Sequence, residues 1–78
     1  MGLFRNLETR HLMCGDIRTC IALEPQFWKA ADQQAAARGI AWHDLANTWL
    51  EFKPADMGRA RWLRVAILEM VTLDRSAV

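Results

Sequence analysis

An excess of charge of one sign is missing from this 78-residue chain, in which 10 Lys and Arg stand against 9 Asp and Glu. The formal net charge is +1, so the composition carries no signature of a nucleic-acid-binding protein. Any contact with a nucleic acid must therefore come from a local cluster of basic side chains.

Long apolar runs and abundant cysteine are missing as well. No stretch approaches the roughly 20 apolar residues that a membrane-spanning helix needs, and residues 1–10 lack the apolar core of a secretory signal peptide. The two cysteines, Cys14 and Cys20, do not form the framework of a disulfide-rich secreted domain. These features predict a cytoplasmic protein.

Groups that catalyse reactions are scarce. Ser76 is the only serine, and the chain has no glycine-rich phosphate loop. No nucleophile stands out with a general base at a spacing that would bring the two together. The sequence therefore predicts a protein that is not an enzyme and that needs no cofactor.

Apolar residues, by contrast, are plentiful, because 53% of the chain is hydrophobic and four residues are tryptophan. A chain of this length buries only about 60% of the surface that it exposes when unfolded. The surplus apolar surface favours an oligomer. Trp42, Trp49 and Trp62 are expected to pack in the core or in a dimer interface.

One β-strand is predicted, from Asp16 to Leu23. Two sets of residues alternate there. The first set is mostly β-branched and consists of Ile17, Thr19, Ile21 and Leu23, and the second consists of Arg18, Cys20 and Ala22. Residues 1–15 are interpreted as an N-terminal arm. A single strand leaves its backbone donors and acceptors unpaired, so its most economical partner is the same strand of a second copy.

Three helices are predicted after the strand. The first starts at Pro25 and stops at Gly39, which supplies a left-handed C-terminal residue. The second ends near Lys53, because Pro54 disfavours helix in the residue before it, and its apolar residues follow a helical period: Trp42, Leu45, Ala46, Trp49 and Leu50.

The third helix is expected from about Met57 to Thr72, with Asp56 as its N-terminal cap. Its inner side carries Trp62, Leu63, Ala66, Ile67 and Met70. Residues 74–78 are interpreted as a frayed tail. The fold class is therefore mostly α with one short strand.

The order strand, short helix, glycine, second helix resembles the ribbon-helix-helix superfamily of the MetJ/Arc type, and in particular its small bacterial and phage members. The resemblance covers about residues 17–70 and lies in four segments: Arg18-Thr19-Cys20-Ile21-Ala22-Leu23-Glu24-Pro25, Phe27-Trp28, Arg38-Gly39-Ile40 and Leu63-Arg64-Val65-Ala66-Ile67-Leu68. It implies an intertwined homodimer with a two-stranded antiparallel ribbon. The ribbon-helix-helix domain would span residues 16–73 and carry an extra C-terminal helix.

The same resemblance implies a DNA-binding transcription regulator, such as a repressor, whose paired ribbon enters the major groove of double-stranded DNA. Base edges would be read by Arg18, Cys20 and Ala22, and a backbone phosphate would be held at the turn Ala41-Trp42-His43. Arg5, Arg10 and His11 would add phosphate contacts from the arm. The chain departs from the usual pattern, because among the three reading positions only Arg18 is suited to a bidentate contact with guanine, and Ala41 lacks a capping side chain.

Zinc is a further hypothesis, because His11, Cys14, Cys20 and His43 are all ligand types for this metal. Their spacings fit no standard zinc finger. Unpaired thiols and no metal are therefore the expectation.

A second function remains open on the same scaffold. Near-neutral charge, few polar groups at the reading positions and four tryptophans also suit a protein-interaction module. Examples are an antitoxin, or a phage-type inhibitor of the anti-CRISPR kind that binds another protein. A basic stripe on the strand face would favour DNA, whereas an exposed patch rich in tryptophan would favour a protein partner.

Overall fold

The computed structural model describes residues 6–76. A β-hairpin comes first and three helices follow it, in the order β1 (Glu8–Cys14), β2 (Ile17–Leu23), α1 (Pro25–Arg38), α2 (Trp42–Glu51) and α3 (Arg59–Ser76). The two strands form an antiparallel sheet. The mostly α architecture and the order of β2 and the helices agree with the sequence analysis.

The hairpin closes through a two-residue turn, Gly15-Asp16, between the paired residues Cys14 and Ile17. Gly15 has a φ of +63°. In the part of the chain that the structure describes, all residues with a positive φ are glycines. Glycine with a positive φ at the first turn position is typical of a type II′ turn, whose twist matches that of the flanking strands. Pairing continues without a bulge to Glu8 and Leu23.

The expectation of a single strand is wrong, because β1 lies inside the segment that was interpreted as an arm. Its strand character is weak in sequence, since its inward residues include Arg10 and its outward residues include His11 and Met13. The partner of β2 is thus in the same chain. The inference of a dimer from a lone unpaired strand loses its premise.

Helix α1 has the predicted ends. Pro25 occupies its first turn, and Gly39 adopts the left-handed conformation with φ 68° and ψ 29°. The N–H of Gly39 donates to the carbonyl of Ala36, and the N–H of Ile40 donates to that of Ala35. This pair of bonds is a Schellman motif, which satisfies carbonyls that the helix leaves open.

Helix α2 ends before Pro54, as predicted, but α3 starts later than expected. The first bond of α3 runs from the N–H of Trp62 to the carbonyl of Gly58 at 3.0 Å. Asp56 is therefore not its cap; residues 54–57 instead form a turn in which the N–H of Met57 donates to the carbonyl of Pro54. At its other end, α3 reaches Ser76 and so enters the predicted tail.

The core lies between the inner face of the hairpin and the three helices. Trp28 is 2% exposed, whereas Trp42, Trp49 and Trp62 are half-buried, and of these three Trp42 and Trp49 pack against the core as predicted. The central buried residues are Leu12, Ile21, Leu23, Trp28, Ala31, Ala46, Leu63 and Ile67. None of the helices within residues 6–76 is long and apolar enough to cross a membrane.

Candidate functional site

The outer face of the hairpin is the side that points away from this core. Because side chains alternate along each strand, the strand register places six residues on it in three cross-strand pairs: Thr9 with Ala22, His11 with Cys20, and Met13 with Arg18. All are exposed except Ala22, which is half-buried. The three predicted reading residues therefore share this face.

Arg18 is the strongest basic group of the outer face. Its side chain is exposed, and within residues 6–76 it forms no ion pair. Its cross-strand neighbour Met13 carries no charge to compete for the guanidinium. The donors of Arg18 are therefore available to a ligand that approaches the hairpin.

Cys20 and His11 touch in the middle of the outer face. The Sγ atom of Cys20 lies 3.1 Å from Nδ1 of His11, and both residues are exposed. Ala22, at the end of the strand, presents only a methyl group, and its carbonyl lies 3.5 Å from the Nη2 donor of Arg64. This face thus offers an arginine, an imidazole, a thiol and the hydroxyl of Thr9.

Arg10 points the other way, towards the helices. Its two terminal nitrogens donate to the carboxylate of Asp32 at 2.8 and 2.9 Å. The guanidinium also lies over the rings of Trp28 and Trp42, 4.7 and 4.9 Å from their centroids. The hydrogen bond with Asp32 raises the pKa of Arg10, and the same bond lowers the pKa of the Asp32 carboxyl.

The residues predicted to contact phosphate from the arm do not lie together, since His11 is exposed on the outer face and Arg10 is not on that face. Arg10 is held inside by Asp32 and the two tryptophans, so it is not part of the outer face. Arg5 lies outside the described residues.

The N-terminus of α2 lies along the outer edge of β1. Trp42 packs edge-on against Trp28, with ring centroids 5.5 Å apart, and Asn47 donates to the carbonyl of Met13 at 2.9 Å. Ala41 makes no side-chain cap, so the first N–H groups of the helix have no side-chain acceptor there. His43 is exposed, but Asp44 stands 3.7 Å from it and adds negative charge to the same turn.

The four candidate zinc ligands do not converge. Cys14 faces inward, where its thiol is 3.5 Å from Oδ1 of Asn47, and His43 belongs to the first turn of α2. Only His11 and Cys20 are in contact. Among residues 6–76 no group of three histidine, cysteine or acidic side chains forms a metal site.

His11, Met13 and Thr9 were not assigned to the outer face from the sequence, because β1 was not predicted. A signal for them exists in the Gly-Asp dipeptide at 15–16. Two residues of this type between two β-like runs indicate a hairpin. With the hairpin assigned, the alternation of side chains would have placed all three residues beside Arg18, Cys20 and Ala22.

Comparison with known proteins gives one match. The family model described as "Ribbon-helix-helix domain" matches residues 7–71, which include both strands and most of α3. No curated protein and no solved structure matches the chain. Domains of this family typically dimerise and act as DNA-binding regulators rather than as enzymes. The match extends over most of the chain and agrees with its hairpin and helices, so this protein belongs to the ribbon-helix-helix domain family.

Proposed function

We propose that this protein is a cytoplasmic, homodimeric transcription regulator that inserts the outer face of its hairpin into the major groove of DNA. The observation that carries the proposal is the position of Arg18, which is exposed on this face and free of ion pairs among the described residues. A two-stranded ribbon fits the major groove, and an arginine there is suited to bidentate contact with guanine.

The hairpin strengthens this proposal beyond what the strand residues alone supported. His11 and Thr9 add hydrogen-bonding groups beside Cys20 and Ala22, so the outer face is less apolar than β2 by itself. The uncapped N-terminus of α2, at Ala41-Trp42-His43, is the proposed phosphate contact. Asp44 opposes a phosphate in that turn, so Arg18 is expected to contribute more.

The second copy is proposed to pair along the free edge of β2. Cys14 and Ile17 flank the two-residue turn and so form a hydrogen-bonded pair, and such pairs alternate along the ladder with non-hydrogen-bonded ones. Arg18 and Cys20 belong to the second kind, so their backbone groups point away from β1. Met13 and Ala22 also belong to non-hydrogen-bonded pairs, so their carbonyls point away from the partner strand. In agreement with this, these carbonyls accept hydrogen bonds from Asn47 and Arg64.

An antiparallel pair of β2 strands would extend the hairpin to a four-stranded sheet with one continuous outer face, and the two central β2 strands would be the ribbon that enters the groove. Cys20 is the middle residue of Ile17–Leu23. If the two β2 strands pair over their full length, the two Cys20 residues lie opposite each other at the two-fold axis of the dimer. One Arg18 then lies on each side of this axis. Apolar side chains that a single copy leaves exposed also favour a partner. They include Ile17 at 60% and Leu68 at 61%.

The test is DNA binding by the wild type and by Arg18→Ala, measured by gel shift against the region upstream of the gene at two salt concentrations. We expect Arg18→Ala to weaken binding to the cognate site by about 1–3 kcal/mol per contact and to relax base preference. Arg61→Ala removes an exposed positive charge from α3. This control should not change base preference and should act only through the salt-dependent attraction.

A protein-interaction role on the same scaffold is the second candidate, as in an antitoxin or a phage-type inhibitor. The observation that favours it is exposed apolar surface outside the two strands, with Phe52 at 72% and Leu73 at 61%. The exposed tryptophan patch expected for that role is not found among the described residues. If Arg18→Ala binds the upstream DNA as tightly as the wild type does, ribbon readout by this residue is excluded and this candidate replaces the first.

A further inference from the structure

The contact between Cys20 and His11 has no role in the packing of the fold. Both side chains are exposed, and the Sγ–Nδ1 contact of 3.1 Å is the one interaction found for either side chain. The pair occupies a non-hydrogen-bonded position of the ladder, where opposite side chains come closest. Two good metal ligands thus stand side by side on a rigid sheet, open to solvent.

Met13 lies on the same face and next to both of them. It is two residues beyond His11 on β1 and diagonal to Cys20 in the register, and its side chain is 52% exposed. Diagonal neighbours on a sheet are within reach of long side chains, and the thioether chain of methionine has several rotatable bonds. A thiolate, a thioether and an imidazole are therefore available on one small patch.

We propose that Cys20, His11 and Met13 form a binding site for a soft monovalent metal ion, copper(I). Thiolate and thioether sulfur select copper(I), and imidazole also suits copper. Metal–sulfur and metal–nitrogen bonds of about 2.3 and 2.0 Å, as at zinc, place sulfur and nitrogen about 3.5–3.7 Å apart around a three- or four-coordinate ion. The exposed side chains need to separate by only about half an ångström, and the metal replaces the thiol proton.

Cys14 supplies a matched comparison within the same hairpin. It is the other free cysteine, but it faces inward and contacts Asn47. If copper bound to any cysteine thiol without a specific site, Cys14 and Cys20 would both contribute to its uptake. A built site on the outer face requires Cys20 and not Cys14.

The experiment is an anaerobic titration in which the protein withdraws copper(I) from a chromophoric chelator. Wild-type protein should take up one ion per chain, and Cys14→Ser should do the same. Cys20→Ser and His11→Asn should lose this uptake, and Met13→Leu should weaken it. Circular dichroism on each variant checks the fold, which the substitutions at the exposed positions His11, Met13 and Cys20 should leave intact.

Two results would overturn the proposal. One is a wild type that withdraws no copper from the chelator. The other is uptake that Cys14→Ser reduces as much as Cys20→Ser does. The titration contains no DNA, so its result is independent of whether the protein binds DNA.

A consequence for regulation rests on the function proposed above. The three ligands lie on the face proposed to enter the major groove, so a bound ion would obstruct this face. Copper(I) should weaken DNA binding by the wild type and by Cys14→Ser, but not by Cys20→Ser. If the copper-loaded wild type keeps its affinity for DNA, the site has no regulatory effect, although the titration would still establish it.

Discussion

Arg10 is held in the fold by an ion pair and by contacts with two aromatic rings. Its guanidinium binds both oxygens of Asp32 and lies over two tryptophan rings, and its side chain is 22% exposed. This arrangement joins β1 to α1 and to the start of α2. A residue that looked like a phosphate contact in sequence thus fastens the hairpin to the helices.

The Arg10–Asp32 pair should make stability depend on pH. Arg10 lowers the pKa of Asp32 in the folded state, so the pair stabilises the protein above the ordinary aspartate pKa of about 3.9 and stops doing so as the pH falls through the folded value. Asp32 is half exposed, so we expect Asp32→Asn to cost only about 1 kcal/mol near neutral pH. Urea unfolding at about pH 7 and about pH 2 should show this difference disappear in acid.

A control for this measurement is Asp56→Asn, which removes an exposed carboxylate from the turn before α3. It should change the free energy of unfolding little at either pH. A loss in Asp32→Asn that is equally large in acid would mean that shape, and not charge, makes Asp32 important.

Among the elements, the helices followed from the sequence and β1 did not. The ends of α1 and α2 have strong local signals in Pro25, Gly39 and Pro54. Strand β1 has no such signal except the turn, because half of its inward side is polar and is stabilised by residues distant in sequence, Asp32 and the tryptophans. Such long-range compensation is not visible in a local pattern.

The residues of the outer face were likewise predicted on one strand and missed on the other. The outward positions of β2 were predicted from alternation alone, and the structure places Arg18 and Cys20 there. The partners of these residues across the sheet were missed together with β1. The contact of His11 with Cys20 depends on a register that only the fold defines.

Gly39 offers a test of how α1 ends. Its positive φ is unfavourable for residues with a Cβ, although a Cβ atom would meet nothing within 4 Å. Gly39→Ala should therefore cost about 1 kcal/mol through backbone strain alone. Asparagine tolerates this conformation better, so Gly39→Asn should cost less in urea unfolding. If both variants lose the same free energy of unfolding, backbone strain is not the cause.

At the scale of the whole molecule, the proposed dimer depends on an edge of β2 that a second copy can pair with. The hairpin satisfies one edge of β2 within the chain, and the proposal above assigns the other edge to a partner. Exposed strand edges are sites of pairing unless they are blocked. A hairpin in each subunit is therefore compatible with a dimer, but the sheet of that dimer would have four strands instead of two.

Proline substitutions can distinguish the roles of the two edges of β2. The N–H of Ile21 points towards Arg10 across a hydrogen-bonded pair, whereas the N–H of Arg18 points to the free edge. Ile21→Pro should therefore disrupt the hairpin and the core, at a cost of several kcal/mol. Arg18→Pro leaves the hairpin ladder intact, since proline is tolerated where the N–H faces away from the sheet, but it removes a donor from the proposed dimer ladder.

Sedimentation and circular dichroism at micromolar concentration measure both effects. We expect the wild type and Arg18→Ala to be folded dimers, Arg18→Pro to be folded but largely monomeric, and Ile21→Pro to lose its fold. Arg18→Ala is the matched control, because it removes the same side chain and keeps the backbone donor. If Arg18→Pro remains a dimer as tight as Arg18→Ala, the copies do not meet through β2, and the exposed apolar surface of α3, with Val65 and Leu68, becomes the interface to examine next.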